Sequence, residues 1–543
     1  KHNDFPFFVI LIELYQLSTR NQFIVKNKNK ILNGVISLII AQCIVKILGL
    51  VYKLYLANKP GFGDWGNAIY NSGYQIYALL LTISSIGVPN AVAKLIAEKN
   101  FSGNREEVAK ILKSALIIFA CIGLVGSISL AIFADFISNN LLNIGEAKYT
   151  IIALSPAIFN VCLISVYRGF YNGINRVDVT AKSQSVEQVL KTVFTIILVE
   201  IAFYITSANT IIMAAVANFA TTLATLFSFI YLYKKNNLKD IKIGFQRGYA
   251  KRILRVSIPI SLSSILASLN RNIDSVTVVR FLKENIGEVG AKIQYGVLSG
   301  KVDVLSSLPV SFIIAIATTI IPMVSSLNAQ KNGKELNRII KTYLLFTILL
   351  VLPCCFGMIA FSDQILVLLF KSNSGSWLLK ISAISMIFIA LEQIINSVLQ
   401  GVGKVFIPTI SIFIGVIAKI LLNINLIRLP ETYLIGGTAG ACVATMTCHL
   451  IAFSISFNVM KKYTKIKLNF FKYILKPVIA SCIMSTALYY SYFFLKGIFI
   501  ENIAIILAIV IAGLMYILSV IALKILNKDE LGLIPFIPNF RKK

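Results

Sequence analysis

Apolar runs of 18 or more residues recur along this chain almost without interruption, and that feature decides its fold class. A run of that length with few charges reads as a helix that crosses a bilayer. Hydrocarbon offers no partner to backbone N–H and C=O groups, so only helices and closed barrels cross it. These runs are far too long for barrel strands. Composition agrees: 57% of the 543 residues are hydrophobic and 14% are charged, against roughly 25% charged in soluble domains. Mean hydropathy is +0.80. The chain therefore reads as an all-α polytopic membrane protein.

About 14 spans are expected, over residues 31–57, 70–97, 108–134, 149–172, 182–205, 209–233, 253–281, 299–327, 337–361, 376–400, 404–427, 434–460, 470–495 and 501–527. Alternating gaps differ sharply in charge. One set holds Lys26, Lys28, Lys30, Lys99, Arg105, Arg176, Lys182, the run from Lys234 to Arg255, Lys331, Lys334, Arg338, Lys404, Lys461, Lys462, Lys465, Lys467 and the C-terminal lysines. The other holds little beyond Lys59, Lys148, Lys283, Lys292, Lys371, Arg428 and Lys496. Basic loops stay cytoplasmic, so both termini are expected inside the cell membrane. Lys1 is not a methionine, and residues 1–26 read as a peripheral arm or an extension foreign to the folded body. The apolar stretch Phe5–Tyr15 is too short to span and lacks a signal peptide's basic start and cleavage site.

The net charge of +29 is topogenic, since the basic residues are scattered over gaps rather than gathered on one aromatic-rich face; no nucleic-acid partner is expected. The eight cysteines fall inside or at the ends of apolar runs without metal or disulfide spacing, and the only histidines are His2 and His449. No metal, cofactor or catalytic residue is expected. A membrane-embedded transferase would need clustered acids, and none are seen, so the chain is read as no enzyme.

The chain also repeats itself. Tyr167 to Arg176 and Leu399 to Lys404 close the fourth and tenth runs, and residues 228 positions apart coincide in type: Gly173 with Gly401, Arg176 with Lys404, Ser183 with Ser411 and Lys191 with Lys419. A second echo pairs Pro89 with Pro322 and Gly103 with Gly333. Two parallel six-helix lobes plus two extra helices follow, with a central cavity between lobes. The expected organisation is an arm (1–30), an N-lobe (31–233), a cytoplasmic linker (234–252), a C-lobe (253–460), spans 13–14 (461–527) and a cytoplasmic tail (528–543).

Ionisable groups at bilayer depth cost at least about 2.5–3.5 kcal/mol, so they face a cavity or a partner. Lys46 and Lys53 lie seven apart on one face of the first span; the seventh holds Arg271, Asp274 and Arg280, and the eighth opens with Lys301 and Asp303. Arg271 and Asp274 are spaced to pair locally, and Glu187 and Lys191 form an i,i+4 pair. Lys53, Arg280 and Lys301 lie near span ends, where they either snorkel or line the cavity. His449 reads as a hydrogen-bonded packing residue. Cations outnumber acids in the first and seventh spans, so the cavity suits an anion, with phosphate or pyrophosphate the natural match. A cation exporter would want carboxylates there.

The run Lys46 to Lys53, then Ile83 to Pro89 and Ala93 to Leu95, resembles the multidrug/oligosaccharidyl-lipid/polysaccharide (MOP) exporter superfamily. The nearest branch is the one holding stage V sporulation protein B and MurJ-type lipid II flippases. Arg168, Gly169, Gly173, Gln184 and the run Glu187 to Lys191 resemble that branch across spans four and five, and Leu308-Pro309 through Ser326 do so in span eight. Lys46, Lys53 and Lys191 stand where the branch carries arginine, which keeps charge but loses the bidentate fork; Lys301 and Asp303 match its span-eight cluster only in part. The resemblance implies a V-shaped pair of lobes that flips a polyprenyl-pyrophosphate-linked saccharide, lipid II or a related cell-wall precursor, by alternating access. Its partners would be the lipid-linked oligosaccharide, the bilayer and a coupling ion. Lys46, Lys53, Arg271, Asp274, Arg280, Lys301 and Asp303 would line the cavity, and Arg168, Glu187 and Lys191 would form a structural or coupling group. The alternative on the same fold is an ion-coupled exporter of drugs or small solutes.

Overall fold

The computed structural model describes residues 45–101, 104–236 and 245–526, without the side chains of 83–86, 101, 256, 259–269, 271, 315, 318–319 and 322. The expected arm, most of the first span, part of the linker and the C-terminal tail lie outside the described residues. Among the described residues there is no strand.

The first helix, α1, is described over residues 45–58. It is followed by α2 (Gly63–Phe101), α3 (Arg105–Ile132), α4 (Ala147–Gly173), α5 (Val177–Ile205) and α6 (Thr210–Lys234). Next come α7 (Arg247–Val297), a π-helical turn (Leu298–Val302) and α8 (Asp303–Ala329). Then follow α9 (Gly333–Ala360), a short helix (Ser362–Phe370), α10 (Ser376–Gly401), α11 (Phe406–Leu426), α12 (Gly437–Thr464), α13 (Lys476–Lys496) and α14 (Glu501–Ala522).

Twelve helices among the described residues are long and apolar enough to cross a membrane. The expectation was about 14. The first span is described only in its last part, and the seventh and eighth are joined in one candidate, Asn272–Ile314. The joint is Gly287, at φ 77° and ψ 170°, a region essentially reserved for glycine. Helix resumes beyond it, well before the expected start of the eighth span at residue 299. That segment carries Glu288 and Lys292 and so reads as a polar loop. In the fold Lys292 pairs with Glu288 and Glu146, and Lys301 pairs with Asp64, so helix continues without a bare charge.

The 228-residue register seen in the sequence recurs as contacts. A Cβ on Gly173 would press at 2.9 Å on Ala93 and Ile96 of α2; a Cβ on Gly401 would press on Ile321 and Val324 of α8, 228 positions on. The side chain of Asn104 caps α3 by accepting from Glu107 N at 3.1 Å, and that of Asn332 caps α9 by accepting from Glu335 N at 3.2 Å. Such caps satisfy N–H groups that a helix start leaves open. Ser228 Oγ donates to Ser183 O, and Ser456 Oγ donates to Ser411 Oγ. The register admits no insertion from 93 to 228. It also corrects the second echo: the position equivalent to Pro89 is Ala317, so Pro322 is out of step with it.

Packing follows the same scheme twice. Helix α4 lies against α2, α3 and α6, and α5 against α6; α10 lies against α8, α9 and α12, and α11 against α12. Helices α13 and α14 pack on each other, and α13 leans on α9. Tyr516 of α14 donates to Leu349 O of α9 at 2.7 Å. Their outer faces, including Phe493, Phe494, Leu514 and Ile521, are exposed apolar surface suited to lipid.

The two groups of helices meet chiefly along α2 and α7. At the end of the bundle where α2 begins, the backbones nearly touch: a Cβ on Gly296 would collide with Asp64 O, and one on Gly300 with Asn67. Small residues permit this approach. At the opposite end Arg252 pairs with Glu98 at 2.7 Å, and Gln246 N donates to Ser114 Oγ at 3.1 Å.

Candidate functional site

Five charged side chains are buried among the described residues: Lys191, Lys292, Lys301, Glu392 and Lys419. Each is held differently, and the differences locate the chemistry.

Lys191 projects from α5 toward α1 and α2. Its Nζ lies 4.2 Å from the ring centre of Tyr74 and 5.1 Å from that of Tyr52, and Tyr70 OH donates to Tyr52 OH at 3.4 Å. A desolvated ammonium over aromatic faces gains about 2 kcal/mol. The expected Glu187–Lys191 pair does not form. Glu187 binds Arg168 at 2.7 Å, while Arg168 Nε donates to Ser183 Oγ at 3.0 Å. The reason is geometric: the guanidinium engages a carboxylate and a hydroxyl together, which a lysine on the same helix cannot. Among the described residues no carboxylate lies within ion-pair distance of Lys191.

Lys46 is exposed and Lys53 half-buried on α1. Gly49, between them, faces Gln188 of α5, and Thr192 Oγ1 donates to Leu48 O at 3.4 Å. So α1 carries its two lysines on a helix that packs directly against the Lys191 segment.

Lys419 occupies the position equivalent to Lys191 but is fully neutralised. Its Nζ donates to Asp274 Oδ2 and to Asn270 O, both at 2.7 Å. Asn423 donates to the other oxygen of Asp274 at 3.0 Å, and Thr445 Oγ1 donates to Oδ2 at 3.5 Å. Asp274 thus makes an ion pair between α7 and α11, while the expected Arg271–Asp274 pair falls outside the described residues. A tertiary lysine reaches the carboxylate with two further donors.

Lys301 and Lys292 face the contact between the two lobes. Lys301 Nζ binds Asp64 at 2.8 Å and Ser374 Oγ at 2.8 Å. Lys292 binds Glu288 at 2.7 Å and Glu146 at 3.1 Å, and lies 5.2 Å from the Trp65 ring. Lys301 is thus a buried latch residue rather than a snorkelling one. Arg280 is exposed at the end of its span, and Asp303 is exposed at the start of α8.

Glu392 binds His449 Nδ1 at 2.7 Å and accepts from Asn396 at 3.1 Å. His449 is hydrogen-bonded, as expected of it, and its partner is an acid. Asp64, Glu146 and the Glu392–His449 contact were not picked out in the sequence as site residues. Asp64 and Glu146 sit in gaps read as loops, but the register does flag Lys419, as the mate of Lys191.

No group of three or more metal-ligating side chains occurs among the described residues. The arrangement instead offers a cation-rich N-lobe face (Lys46, Lys53, Lys191), a neutralised C-lobe core, and ion-paired closure at one end.

Comparison with known proteins fits this geometry. Residues 31–328 match the family described as polysaccharide biosynthesis protein, and residues 259–424 match MatE. Lipid II flippase MurJ of Bacillus subtilis is 25% identical over 80% of this chain and 83% of its own length. Stage V sporulation protein B of the same organism is 23% identical over 94% of this chain and 98% of its own. The solved structure of lipid II flippase MurJ in an inward closed conformation superposes with a TM-score of 0.71 at 19% identity, over 90% of this chain and 99% of that one.

Proposed function

For a chain that belongs to the polysaccharide biosynthesis protein family, and with it to the MOP transporter superfamily rather than to any class of enzyme, we propose a flippase of polyprenyl-pyrophosphate-linked saccharides. The cargo is lipid II or a related cell-wall precursor, moved from the inner to the outer leaflet of the cell membrane. The observation that carries this reading is the cation set of the N-lobe: Lys191 buried against Tyr74 and Tyr52, with Lys46 and Lys53 on the packed helix α1. Cationic donors complement pyrophosphate oxygens. The name of one Bacillus subtilis relative, lipid II flippase MurJ, supports the cargo class.

The basic loops support cytoplasmic termini, which puts the start of α2 at the outer face. The Gly296–Asp64 crossing and the Lys301–Asp64 and Lys292–Glu146 pairs then close the exterior end. In this reading the N-lobe (31–233) and C-lobe (253–460) rock about that contact. The headgroup is received among the N-lobe cations, the outer ion pairs part, and the headgroup is released outside. The apolar faces of α13 and α14 give the lipid tail a surface outside the lobes.

The test is leaflet exchange in vesicles reconstituted with this protein, comparing fluorescent lipid II with teichoic and capsular precursors. Protein-dependent movement of at least one pyrophosphate-linked lipid is expected. The match of 259–424 to MatE favours a second reading, export of a small cationic solute. If a cationic dye moves and no lipid-linked saccharide does, the second reading replaces the first.

A further inference from the structure

The core of the C-lobe contains a second polar network that anion binding does not use. Glu392 lies near the middle of α10 and His449 near the middle of α12. The carboxylate is 4% exposed and the imidazole 12%, so the ring is the more accessible member. Nδ1 of His449 meets Glu392 Oε2 at 2.7 Å, and Nε2 meets the amide nitrogen of Asn270 on α7 at 2.8 Å. With the amide in this orientation the two contacts fit a neutral ring, in which Nδ1–H donates to the carboxylate and Nε2 accepts from the amide. The amide oxygen of Asn270 is buried and has no hydrogen-bond partner, a cost usually avoided. Rotating that amide would present the oxygen to Nε2, which is the partner an Nε2–H requires. The site is thus built for two protonation states, and the orphaned oxygen is the acceptor for the second.

Charge counting points the same way. The groups facing the dyad are Asn270 and Asp274 of α7, Lys419 of α11, Asn396 of α10 and Cys448 of α12. Helices α8 and α9 also pack on α10, but carry their charges in their opening turns, Asp303 on α8 and Lys334, Glu335, Arg338 and Lys341 on α9. Lys419 and Asp274 cancel. The dyad itself, with a neutral ring, carries one negative charge that one proton removes; Arg271, next to Asn270 on α7, has its side chain outside the described residues.

We propose that Glu392, His449 and Asn270 form a binding site for a single proton, whose capture and release are coupled to the rocking of the lobes. The proton passes from hydronium to His449 Nε2, leaving water, and Asn270 turns its oxygen to receive the new N–H. The main-chain carbonyl of Asn270 holds Lys419, and its helix α7 carries Gly296 and Lys292 to the contact with α2. The change at the dyad is therefore made on the segment that leads, through the break at Gly287, to the contact with α2. What the proton is coupled to rests on the flippase reading; the site itself does not.

The chain has only two histidines, so His2→Ala leaves His449 as the sole reporter. Nitrogen-15 histidine resonances of that variant in liposomes are followed from about pH 5 to 8. The expected result is a switch from the neutral ring to imidazolium on acidification, lost from this range in Glu392→Gln, with Asn270→Asp as a second variant that keeps an acceptor at Nε2 and favours imidazolium. A ring that keeps one form throughout in the parent and in Asn270→Asp overturns the site. In vesicles carrying fluorescent lipid II, a gradient of about one pH unit should bias the leaflet ratio by up to about tenfold, and His449→Gln should erase that bias. A switching ring with a gradient-insensitive leaflet ratio overturns the coupling. A switching ring with no lipid movement at any pH overturns the flippase reading and leaves the proton site standing.

Discussion

Lys191 and Lys419 stand 228 residues apart at equivalent positions of α5 and α11, both buried, and they are handled in opposite ways. Lys419 is locked by Asp274 and the carbonyl of Asn270. Lys191 meets two tyrosine faces. The register explains the contrast, because the position of Asp274 in the C-lobe is that of Lys46 in the N-lobe. One lobe pairs its buried lysine with that acid; the other carries a cation at the matching place in the sequence. A duplicated scaffold has thus become a neutral half and a positive half through a few side chains, and the positive half is the one suited to an anionic headgroup.

The sharpest way to break this comparison is to remove each lysine in turn. Lys419→Ala leaves Asp274 buried without its counter-charge and should destabilise the protein by about 3–5 kcal/mol, read as a fall in thermal unfolding temperature in detergent. Adding Asp274→Asn should restore most of that loss. Lys191→Met strands no acid, so its stability cost should stay below about 2 kcal/mol. It should instead cut lipid flipping by about 10- to 100-fold, as expected for losing a charge-assisted contact worth about 1.5–3 kcal/mol. If the two variants lose stability equally and activity equally, the contrast between lobes is false.

A charge swap sharpens it further. Lys46→Asp writes the C-lobe arrangement into the N-lobe and should abolish rescue of a flippase-depleted cell at normal expression, whereas Lys46→Arg should be tolerated. Lys46→Ala and Arg271→Ala are expected to fail as well, and full rescue by both would remove the basic-site idea. The smallest effect belongs to the latch. Lys301→Met leaves Asp64 at a partly exposed rim, so its cost is about 1 kcal/mol or less. That corresponds to a roughly fivefold shift toward the parted state, measurable as faster cross-linker access to a cysteine introduced at Asn67.

The membrane-helical fold was legible because span-length apolar runs have one solution in a bilayer, and the duplication was legible because Gly173 and Gly401 are demanded by close packing at both copies. Local pairing was not. Glu187 lies one turn from Lys191 yet binds Arg168 on another helix, and Asp274 takes as a partner Lys419, 145 residues away. Sequence spacing identifies which groups are near along one helix; it carries no information on a stronger partner brought by another. The eighth span began earlier than its apolar pattern implied for the same reason, since Asp64 and Glu146 neutralise its lysines from a distance. The Glu392–His449 contact was hidden because a lone histidine has no periodic signature, and only the packing of α10 on α12 brings its acid into reach.

The crossing at Gly296 and Gly300 has a consequence for where the transporter can be regulated. Gly296 meets backbone of Asp64 and Gly300 the side chain of Asn67, and the Lys301–Asp64 and Lys292–Glu146 ion pairs flank that crossing. Asp64 and Glu146 are the half-exposed members of those pairs, and charges at an aqueous rim feel the surrounding electrolyte, whose screening length falls from about 10 Å at 0.1 M to about 3 Å at 1 M. On the proposed flippase reading, salinity at that face acts on the resting position of the lobes without any ligand or modification, and a concentrated medium loosens their contact.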